Sequence, residues 1–224
     1  MSLESLTTTT AAATLPVPAD DDARPALRVV PSTVRPDLDA AALAAADFLG
    51  ALGIPLDSPG MAATPARMAR AWSEMLTPRA FDLTTFPNDE HYSELVLGRS
   101  LPVQSICEHH LLPFTGVAHV GYLPGDRILG LSKLARVVEL FARRPQVQER
   151  LTQQVVDWLV EHLAPRGVGV VIEAHHQCMS LRGVRAGEGT TVTSAFRGAL
   201  RDPQQRSDLL ALAVGRARTD AEVS

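Results

Sequence analysis

The spacing of apolar residues predicts two helices at the start of the folded part of the chain. Between residues 37 and 49, apolar side chains recur at intervals of three or four, which is the period of a helix, and Gly50 or Gly53 would end it. For the second helix, Thr64 is a suitable N-cap and Pro65 suits the first helical position. The apolar face of this second helix consists of Met68, Ala71, Trp72 and Met75.

The rest of the chain alternates between strand patterns and amphipathic helices. Residues 76–92 contain prolines and polar residues, which predict a loop. Short runs rich in β-branched residues predict strands at residues 94–97, 101–106, 114–122, 127–130, 168–174 and 190–196. Ser132 is the predicted N-cap of a helix that Pro145 interrupts, a longer amphipathic helix follows, and a closing helix begins near Pro203.

This order of elements predicts an α+β fold. Two strand pairs are separated by two consecutive helices, which favours an antiparallel sheet with the helices on one face. Residues 37–78 would form an N-terminal helical appendage to a larger domain at residues 79–218, which carries the reactive residues. Residues 1–36 and 219–224 are expected to be disordered, because they cannot bury enough apolar surface to offset the entropy lost on ordering.

Composition and charge narrow the function classes. The 224 residues are 46% hydrophobic and 21% charged, as in an ordinary soluble protein, and the formal net charge is −4. This charge provides no general footprint for nucleic acid, so contacts to phosphate would come from a local cluster of Arg and Lys. No apolar run approaches the length of a membrane span, and the N-terminus lacks a signal-peptide pattern. We therefore expect a cytoplasmic protein without nucleic-acid or membrane partners.

Two short stretches hold both cysteines and four of the seven histidines. Residues 107–110 read Cys-Glu-His-His, and residues 175–178 read His-His-Gln-Cys. If the fold brings them together, they form a Cys/Cys/His metal site with spare histidines, and three protein ligands with an open fourth position are typical of a catalytic zinc. A disulfide between Cys107 and Cys178 is an alternative, but it is less favoured in a chain of this length without a secretory signal. Inert buried cysteines are the other alternative.

A zinc ion held by Cys107, His110 and Cys178 would lower the pKa of a bound water and supply hydroxide near neutral pH. The reaction would also need a proton donor for the atom that leaves. His109 and His176 suit that task, because imidazole titrates near the operating pH. Spacing alone leaves the assignment open, since any of the four histidines could be the ligand.

A second set of polar residues lies between and after the two stretches. Ser132, Lys133 and Arg136 occupy one predicted helix start, and Arg182 follows the second stretch. Arg matches phosphate oxygens with a planar fork and Lys adds a compact charge, so these cations suggest an anionic, phosphate-bearing substrate. A solvated helix face is the alternative interpretation. Glu149, in a polar first turn, fits ordinary helix-dipole chemistry, or it could accept two N–H bonds from a guanine edge.

These residues fall in four ordered motifs. The motifs are Ser-Ile-Cys-Glu-His-His at 105–110, Gly-Leu-Ser-Lys-Leu-Ala-Arg at 130–136, Gln-Val-Gln-Glu-Arg-Leu-Thr at 146–152 and His-Gln-Cys-Met-Ser-Leu-Arg-Gly-Val at 176–184. Together they resemble the GTP cyclohydrolase I family. The similarity runs from about residue 40 to about residue 215, and four motifs in this order make chance agreement very improbable.

The resemblance implies a reaction and the residues that perform it. Cys107, His110 and Cys178 would bind Zn²⁺, and the zinc water would attack C8 of GTP while His176 and His109 handle protons during opening of the imidazole ring. Formate would leave, and the ring would reclose as 7,8-dihydroneopterin triphosphate. This is the first step of tetrahydrofolate and pterin biosynthesis.

The resemblance also implies how the substrate is held and how the subunits assemble. Glu149 and Gln148 would hold the guanine edge, and Ser132 would contact the ribose region. The triphosphate would be held by Lys133, Arg136 and Arg182. The implied architecture is the tunnelling fold (T-fold), assembled as a homo-oligomeric decamer of two stacked pentamers with sites between subunits. Turnover of another purine or pterin, and a zinc-stabilised module that binds GTP without turnover, are the alternatives.

Overall fold

The computed structural model describes residues 13–16, 27–30 and 35–214. Its helices are α1 (Leu38–Ala51), α2 (Thr64–Met75), α3 (Leu131–Ala142), α4 (Gln148–Leu163), α5 (Gln177–Ser180) and α6 (Pro203–Val214), with a 3-10 turn at Ala199–Arg201. Its strands are β1 (Ala13–Pro16), β2 (Leu27–Val30), β3 (Phe81–Leu83), β4 (Thr85–Pro87), β5 (Val96–Cys107), β6 (Pro113–Leu123), β7 (Arg127–Leu129), β8 (Pro145–Gln146), β9 (Gly167–His176) and β10 (Thr190–Gly198).

The main sheet has five strands in the order β10-β9-β6-β5-β8. Strands β5, β6, β9 and β10 pair antiparallel, whereas the short β8 pairs parallel with the end of β5. The α+β prediction is confirmed, but the sheet is mixed because the chain leaves α3 and runs briefly alongside β5. The two strands predicted on either side of Gly98 form one strand with a bulge between Gly98 and Leu101.

Helices cover both faces of this sheet, so the prediction of helices on one face is wrong. Successive side chains of β9 alternate between the faces, and Val170 and Ile172 lie in the main core with residues of α3 and α4. Val171 points the other way and packs with Leu209 of α6. Burial on both sides is possible because residues 168–172 are apolar or glycine without interruption.

The two N-terminal helices pack against each other. Asp37 caps α1, and its side chain accepts a hydrogen bond from the amide of Ala40 at 2.9 Å. The start of α2 differs from the prediction, since Ala63 holds the N-cap position and Thr64 is the first helical residue. The Thr64 hydroxyl accepts a hydrogen bond from Arg67 at 3.0 Å instead of capping the helix.

Two short strands lie within residues 76–92, which the sequence predicts to be a loop. Strand β3 pairs with β2, and β4 pairs with β7. Val29 of β2 is buried in the main core with Phe81 and Leu83. Strands β1 and β2 lie within residues 1–36, the segment that the sequence predicts to be a disordered tail. The stretches that lie outside the described residues are 1–12, 17–26, 31–34 and 215–224.

An apolar cleft of about 560 Å³ lies between α1 and α2. Its lining includes Phe48, Met68 and Trp72, and it contains none of the residues that we expect to bind metal or phosphate. Across the described residues, every helix is either too short or too polar to cross a membrane.

Gly116 on β6 marks a place where two strands approach too closely for a side chain. A Cβ atom at this position would lie 2.0 Å from the carbonyl oxygen of Glu173 and 2.6 Å from the Cα of Ala174. We expect Gly116→Ala to lower the free energy of unfolding by about 1–3 kcal/mol, because the backbone must shift to admit the methyl group. Urea denaturation measures the change.

The matched control for this variant is Gly60→Ala, because a Cβ at Gly60 would meet nothing within 4 Å. Its free energy of unfolding is expected to stay within about 0.5 kcal/mol of the unsubstituted protein. Equal stability of the two variants would contradict the close approach at Gly116.

Candidate metal centre and active site

Three neighbouring strands bring the two reactive stretches together. Phe114, near the start of β6, pairs with Ser105 of β5 on one side and with His176 of β9 on the other. The ends of β5 and β9 therefore meet at the same end of the sheet. Cys107 is the last residue of β5, and Cys178 lies in α5 directly after β9. The sheet register alone makes the two cysteines neighbours.

Cys107, His110 and Cys178 form a group that could hold a metal ion. One ligand atom from each residue lies within 4.8 Å of the others, and Cys107 Sγ is 3.8 Å from His110 Nδ1. Both cysteines are buried and neither is in a disulfide. A tight turn places His110, since the amide of Leu111, at a φ of 52°, donates to the carbonyl of Cys107 at 2.8 Å.

The donor set fits a soft divalent cation. Burial raises the pKa of the Cys178 thiol, and the neighbouring Cys107 sulfur adds to the shift. A bound cation would displace the thiol protons, because the thiolate is the metal ligand. Two sulfurs and one imidazole nitrogen leave one coordination position open. Arg182 borders the group, with its Nη1 3.4 Å from His110 Nε2.

His109 lies beside this group without belonging to it. Its Nδ1 is 3.9 Å from Cys107 Sγ, and its side chain is exposed. In the described part of the chain, His110 is the histidine whose ring nitrogen lies within 4.8 Å of both cysteine sulfurs, which favours it as the third ligand. Glu108, in the same turn, forms an ion pair with Arg150 at 2.7 Å and so ties this turn to α4.

The two adjacent histidines on β9 point in different directions and make different contacts. The ring of His176 stacks on Phe114 with 4.4 Å between centroids, and its Nε2 lies 2.8 Å from Gln148 Oε1. The Nε2 of His175 instead lies 3.0 Å from the hydroxyl of Ser180. His176 is therefore the histidine that is held in a fixed orientation by a buried partner.

Gln148 determines which ring nitrogen of His176 carries the proton. Its Nε2 lies 3.0 Å from the carbonyl oxygen of Ile172 and 2.8 Å from that of Thr191, so the amide NH₂ must face these two acceptors. The Gln148 atom that faces His176 Nε2 is then the oxygen Oε1. Because this oxygen can only accept a hydrogen bond, His176 Nε2 must carry a proton and donate it. Nδ1 consequently holds the lone pair. Burial lowers the pKa of His176 despite the opposing charge of Glu149, so the ring is neutral near pH 7.

The guanine contact predicted for Gln148 is not open to it in this structure. The side chain is 2% exposed, and its amide is engaged with His176 and with backbone carbonyls. A signal for this burial was present in the sequence, because Gln148 precedes Leu151 and Val155 by three and seven residues and so shares their apolar helix face. Glu149, one position on, is exposed.

The residues that we expect to hold the ribose and the triphosphate lie in different places. Ser132 and Arg136 line a groove of about 330 Å³ between α3 and β5, whereas Arg182 lies at the metal group and Lys133 lies outside the groove lining. The prediction of Ser132 as an N-cap is wrong, since Gly130 holds that position and its carbonyl accepts from the amide of Lys133 at 2.8 Å. The Ser132 side chain is exposed as a result.

Replacing Gln148 tests its control of His176. We expect Gln148→Met to lower the free energy of unfolding by about 1–3 kcal/mol, because the carbonyls of Ile172 and Thr191 lose their donor. Nitrogen NMR of protein labelled in histidine should show the Nε2–H tautomer of His176 in the unsubstituted protein and a mixture of tautomers in the variant. Gln153→Met, at an exposed site on α4, is the control that should leave the tautomer unchanged.

Comparison with known proteins identifies the relatives of this chain. The family model for GTP cyclohydrolase I matches residues 41–214. The GTP cyclohydrolase 1 of Mycobacteroides abscessus is 54% identical over 172 residues, which cover 74% of this chain and 84% of that protein. The GTP cyclohydrolase 1 of Thermobifida fusca is 51% identical over 176 residues, covering 76% of this chain and 85% of the relative.

The GTP cyclohydrolase 1 of Aquifex aeolicus is 50% identical over 169 residues, covering 75% of this chain and 92% of the relative. Among solved structures, the archaeosine synthase QueF-Like in its apo form matches 47% of this chain and 94% of its own, at 17% identity and a TM-score of 0.38, which is too low to establish a common fold. The sequence matches confirm the resemblance seen in the four motifs. The chain belongs to the GTP cyclohydrolase I family.

Proposed function

We propose that this protein converts GTP and water to 7,8-dihydroneopterin triphosphate and formate, the first step of tetrahydrofolate and pterin biosynthesis. The observation that carries the proposal is the group of Cys107, His110 and Cys178, with His176 held by Gln148 two residues from Cys178. Family membership supports the substrate and the reaction, since relatives at 50–54% identity bear the name of this enzyme.

Zinc is the metal that we assign to Cys107, His110 and Cys178. Thiolate and imidazole ligands favour zinc over harder ions, and three protein ligands with an open position are the pattern of catalytic sites. When bound, zinc supplies a water molecule of lowered pKa, and hence hydroxide near neutral pH. The chain itself contributes two buried thiols, held at the same end of the sheet, whose protons the metal displaces.

His176 is the residue that we assign to proton transfer at the guanine imidazole ring. Gln148 keeps the proton on Nε2, so Nδ1 is the atom that accepts a proton and returns it. Because burial holds the ring neutral near pH 7, His176 begins the cycle as a base. His109, exposed beside Cys107, is the second proton carrier and can exchange protons with solvent.

The substrate contacts follow from the exposed charges around these residues. Glu149 offers an exposed carboxylate to the guanine edge. Its charge opposes the lowering of the pKa of His176, and this proximity supports a guanine base bound beside the proton-transfer residue. Ser132 contacts the ribose region. The triphosphate is held by Lys133, Arg136 and Arg182, whose charges offset those of the phosphates.

We assign to the chain the tunnelling fold and a homo-oligomeric state, a decamer of two stacked pentamers with sites between subunits. Arg182 is not among the residues that line the groove on one chain, and this supports a shared site, since a second subunit would bring a groove to Cys107, His110 and Cys178. Both edges of the main sheet are also open in the described chain, because β10 has one partner and β8 covers β5 only at residues 106 and 107. Reduced cysteines fit a cytoplasmic location.

Turnover of GTP by the zinc-loaded protein tests the function directly. We expect formate and, after oxidation, pterin fluorescence in equal amounts. A chelator should abolish both, and added zinc should restore both. Cys178→Ser should be inactive, because the metal loses a ligand. Formate without pterin would indicate a related cyclohydrolase. If the protein binds zinc and GTP but releases no formate, the proposed enzymatic activity is wrong, and the protein is a module that binds GTP without turnover.

The two adjacent histidines provide a matched pair for testing proton transfer. His176→Ala should lower kcat by about 10²–10⁴-fold, which is the usual contribution of a general acid or base. His175→Ala removes the same ring one residue earlier and should keep kcat within about tenfold, since His175 contacts Ser180 instead of Gln148. Similar losses in the two variants, with zinc still bound, would contradict the assignment of His176.

A further inference from the structure

Glu139 on α3 gathers three arginines at the groove that Ser132 and Arg136 line. Its carboxylate accepts two hydrogen bonds from the Arg79 guanidinium, at 2.7 Å each and one to each oxygen, and a third from the Arg79 backbone amide at 3.4 Å. Arg136 Nη1 lies 3.1 Å from one of these oxygens, and Arg143 Nε lies 3.4 Å from the other. The Glu139 side chain is 13% exposed, so this carboxylate is largely withdrawn from water.

Three guanidinium groups around one carboxylate leave an excess of two positive charges. Partial burial favours the neutral acid, but the hydrogen bonds and charge of Arg79, with the charge of Arg143, outweigh it and lower the pKa of Glu139. The carboxylate is therefore ionised at neutral pH. It offsets one arginine and leaves the charge of the other two to attract an anion.

Within the part of the chain that the structure describes, Arg79 and Arg136 both retain unused hydrogen-bond donors. A guanidinium carries five N–H donors, of which Arg79 uses two on Glu139 and Arg136 uses one. Their side chains are 66% and 37% exposed, respectively. Arg143 is more enclosed and donates to the backbone carbonyl of Glu74. The free donors at the groove therefore come chiefly from Arg79 and Arg136.

The order of these residues along α3 matches the order of groups in a nucleoside triphosphate. Arg136 lies about 6 Å beyond Ser132 along the helix axis. Glu139, to which Arg79 is hydrogen-bonded, lies about 10 Å beyond Ser132. With Ser132 at the ribose, Arg136 faces the inner phosphates. The Arg79 guanidinium then falls at the far end of the chain of phosphates.

We propose that Arg79 is a further phosphate-binding residue, which contacts the terminal phosphate of the nucleoside triphosphate, and that Glu139 is a positioning residue that holds Arg79 and Arg136 side by side. This rests on the proposed function, in which the groove takes part of GTP. Two adjacent guanidiniums match the oxygens of a phosphate better than a single cation does. The pair would make the site selective for a triphosphate over a diphosphate.

Binding of inorganic anions tests Arg79 without requiring turnover. Calorimetry on the full-length, zinc-loaded protein would compare tripolyphosphate with pyrophosphate. We expect Arg79→Gln to weaken tripolyphosphate binding by about tenfold and pyrophosphate binding by much less. Arg79→Lys should recover only part of the loss, because lysine restores the charge without the fork. The control is Arg197→Gln, which removes another paired arginine, at Asp157, with the same change in net charge.

Two results would overturn the role of Arg79. One is that tripolyphosphate binds Arg79→Gln as tightly as it binds the unsubstituted protein, or that the unsubstituted protein does not bind tripolyphosphate at all. The other is that both anions weaken equally in Arg79→Gln and in Arg197→Gln, which would indicate only a change in overall charge. If the anion data are as expected but the unsubstituted protein releases no formate from GTP, the reaction is wrong and the phosphate groove stands.

Steady-state kinetics test Glu139 separately. Glu139→Gln keeps the shape of the side chain but removes the charge that anchors both arginines. We expect the KM for GTP to rise about tenfold with kcat within about twofold of the unsubstituted enzyme, and Glu139→Asp to recover part of the KM. A fall in kcat at unchanged KM would assign Glu139 a structural role and contradict the positioning role.

Discussion

The pairing of β6 with both β5 and β9 is the constraint on which the candidate site depends. Phe114 has Ser105 on one side and His176 on the other, and this register fixes where the ends of β5 and β9 lie. A shift by one residue would turn Phe114 and His176 to opposite faces and separate the ring stack. Gly116 lies two residues after Phe114 on β6 and packs closely against Glu173 and Ala174 of β9. This close approach holds β6 and β9 in the same register.

A buried polar network around Gln148 then determines the orientation and the tautomer of His176 at this end of the sheet. Gln148 joins His176 to the backbone of β9 and β10, and its donors and acceptor all have partners. Buried amides without partners are costly, so this satisfied arrangement has one low-energy orientation. The tautomer of His176 is consequently a property of the fold. The exposed charges of the groove, by contrast, are arranged by ion pairs at the surface of α3.

Some features of the fold and of the candidate site could be predicted from the sequence, and physical reasons explain why the other features could not. Chemistry-bearing residue types, such as those at Cys107 and Cys178, are conspicuous by composition, and helix periods survive in any window of the chain. N-caps are weaker signals, because a shift of one residue, as at Ser132, changes the cap. The pairing of Arg79 with Glu139 joins positions 60 residues apart, and local patterns do not encode such contacts.

The position of the two cysteines has a consequence for how the metal relates to folding. In small zinc domains the ion itself closes the loop between distant ligands, and the chain is unfolded without it. Here Cys107 and Cys178 are about seventy residues apart, but the strands between them have already closed that loop. Pairing of the strands has thus already removed the chain entropy that a metal would otherwise remove by linking the two cysteines. A metal bound by Cys107, His110 and Cys178 would be an addition to a finished scaffold, so we expect the protein to lose and regain it without unfolding.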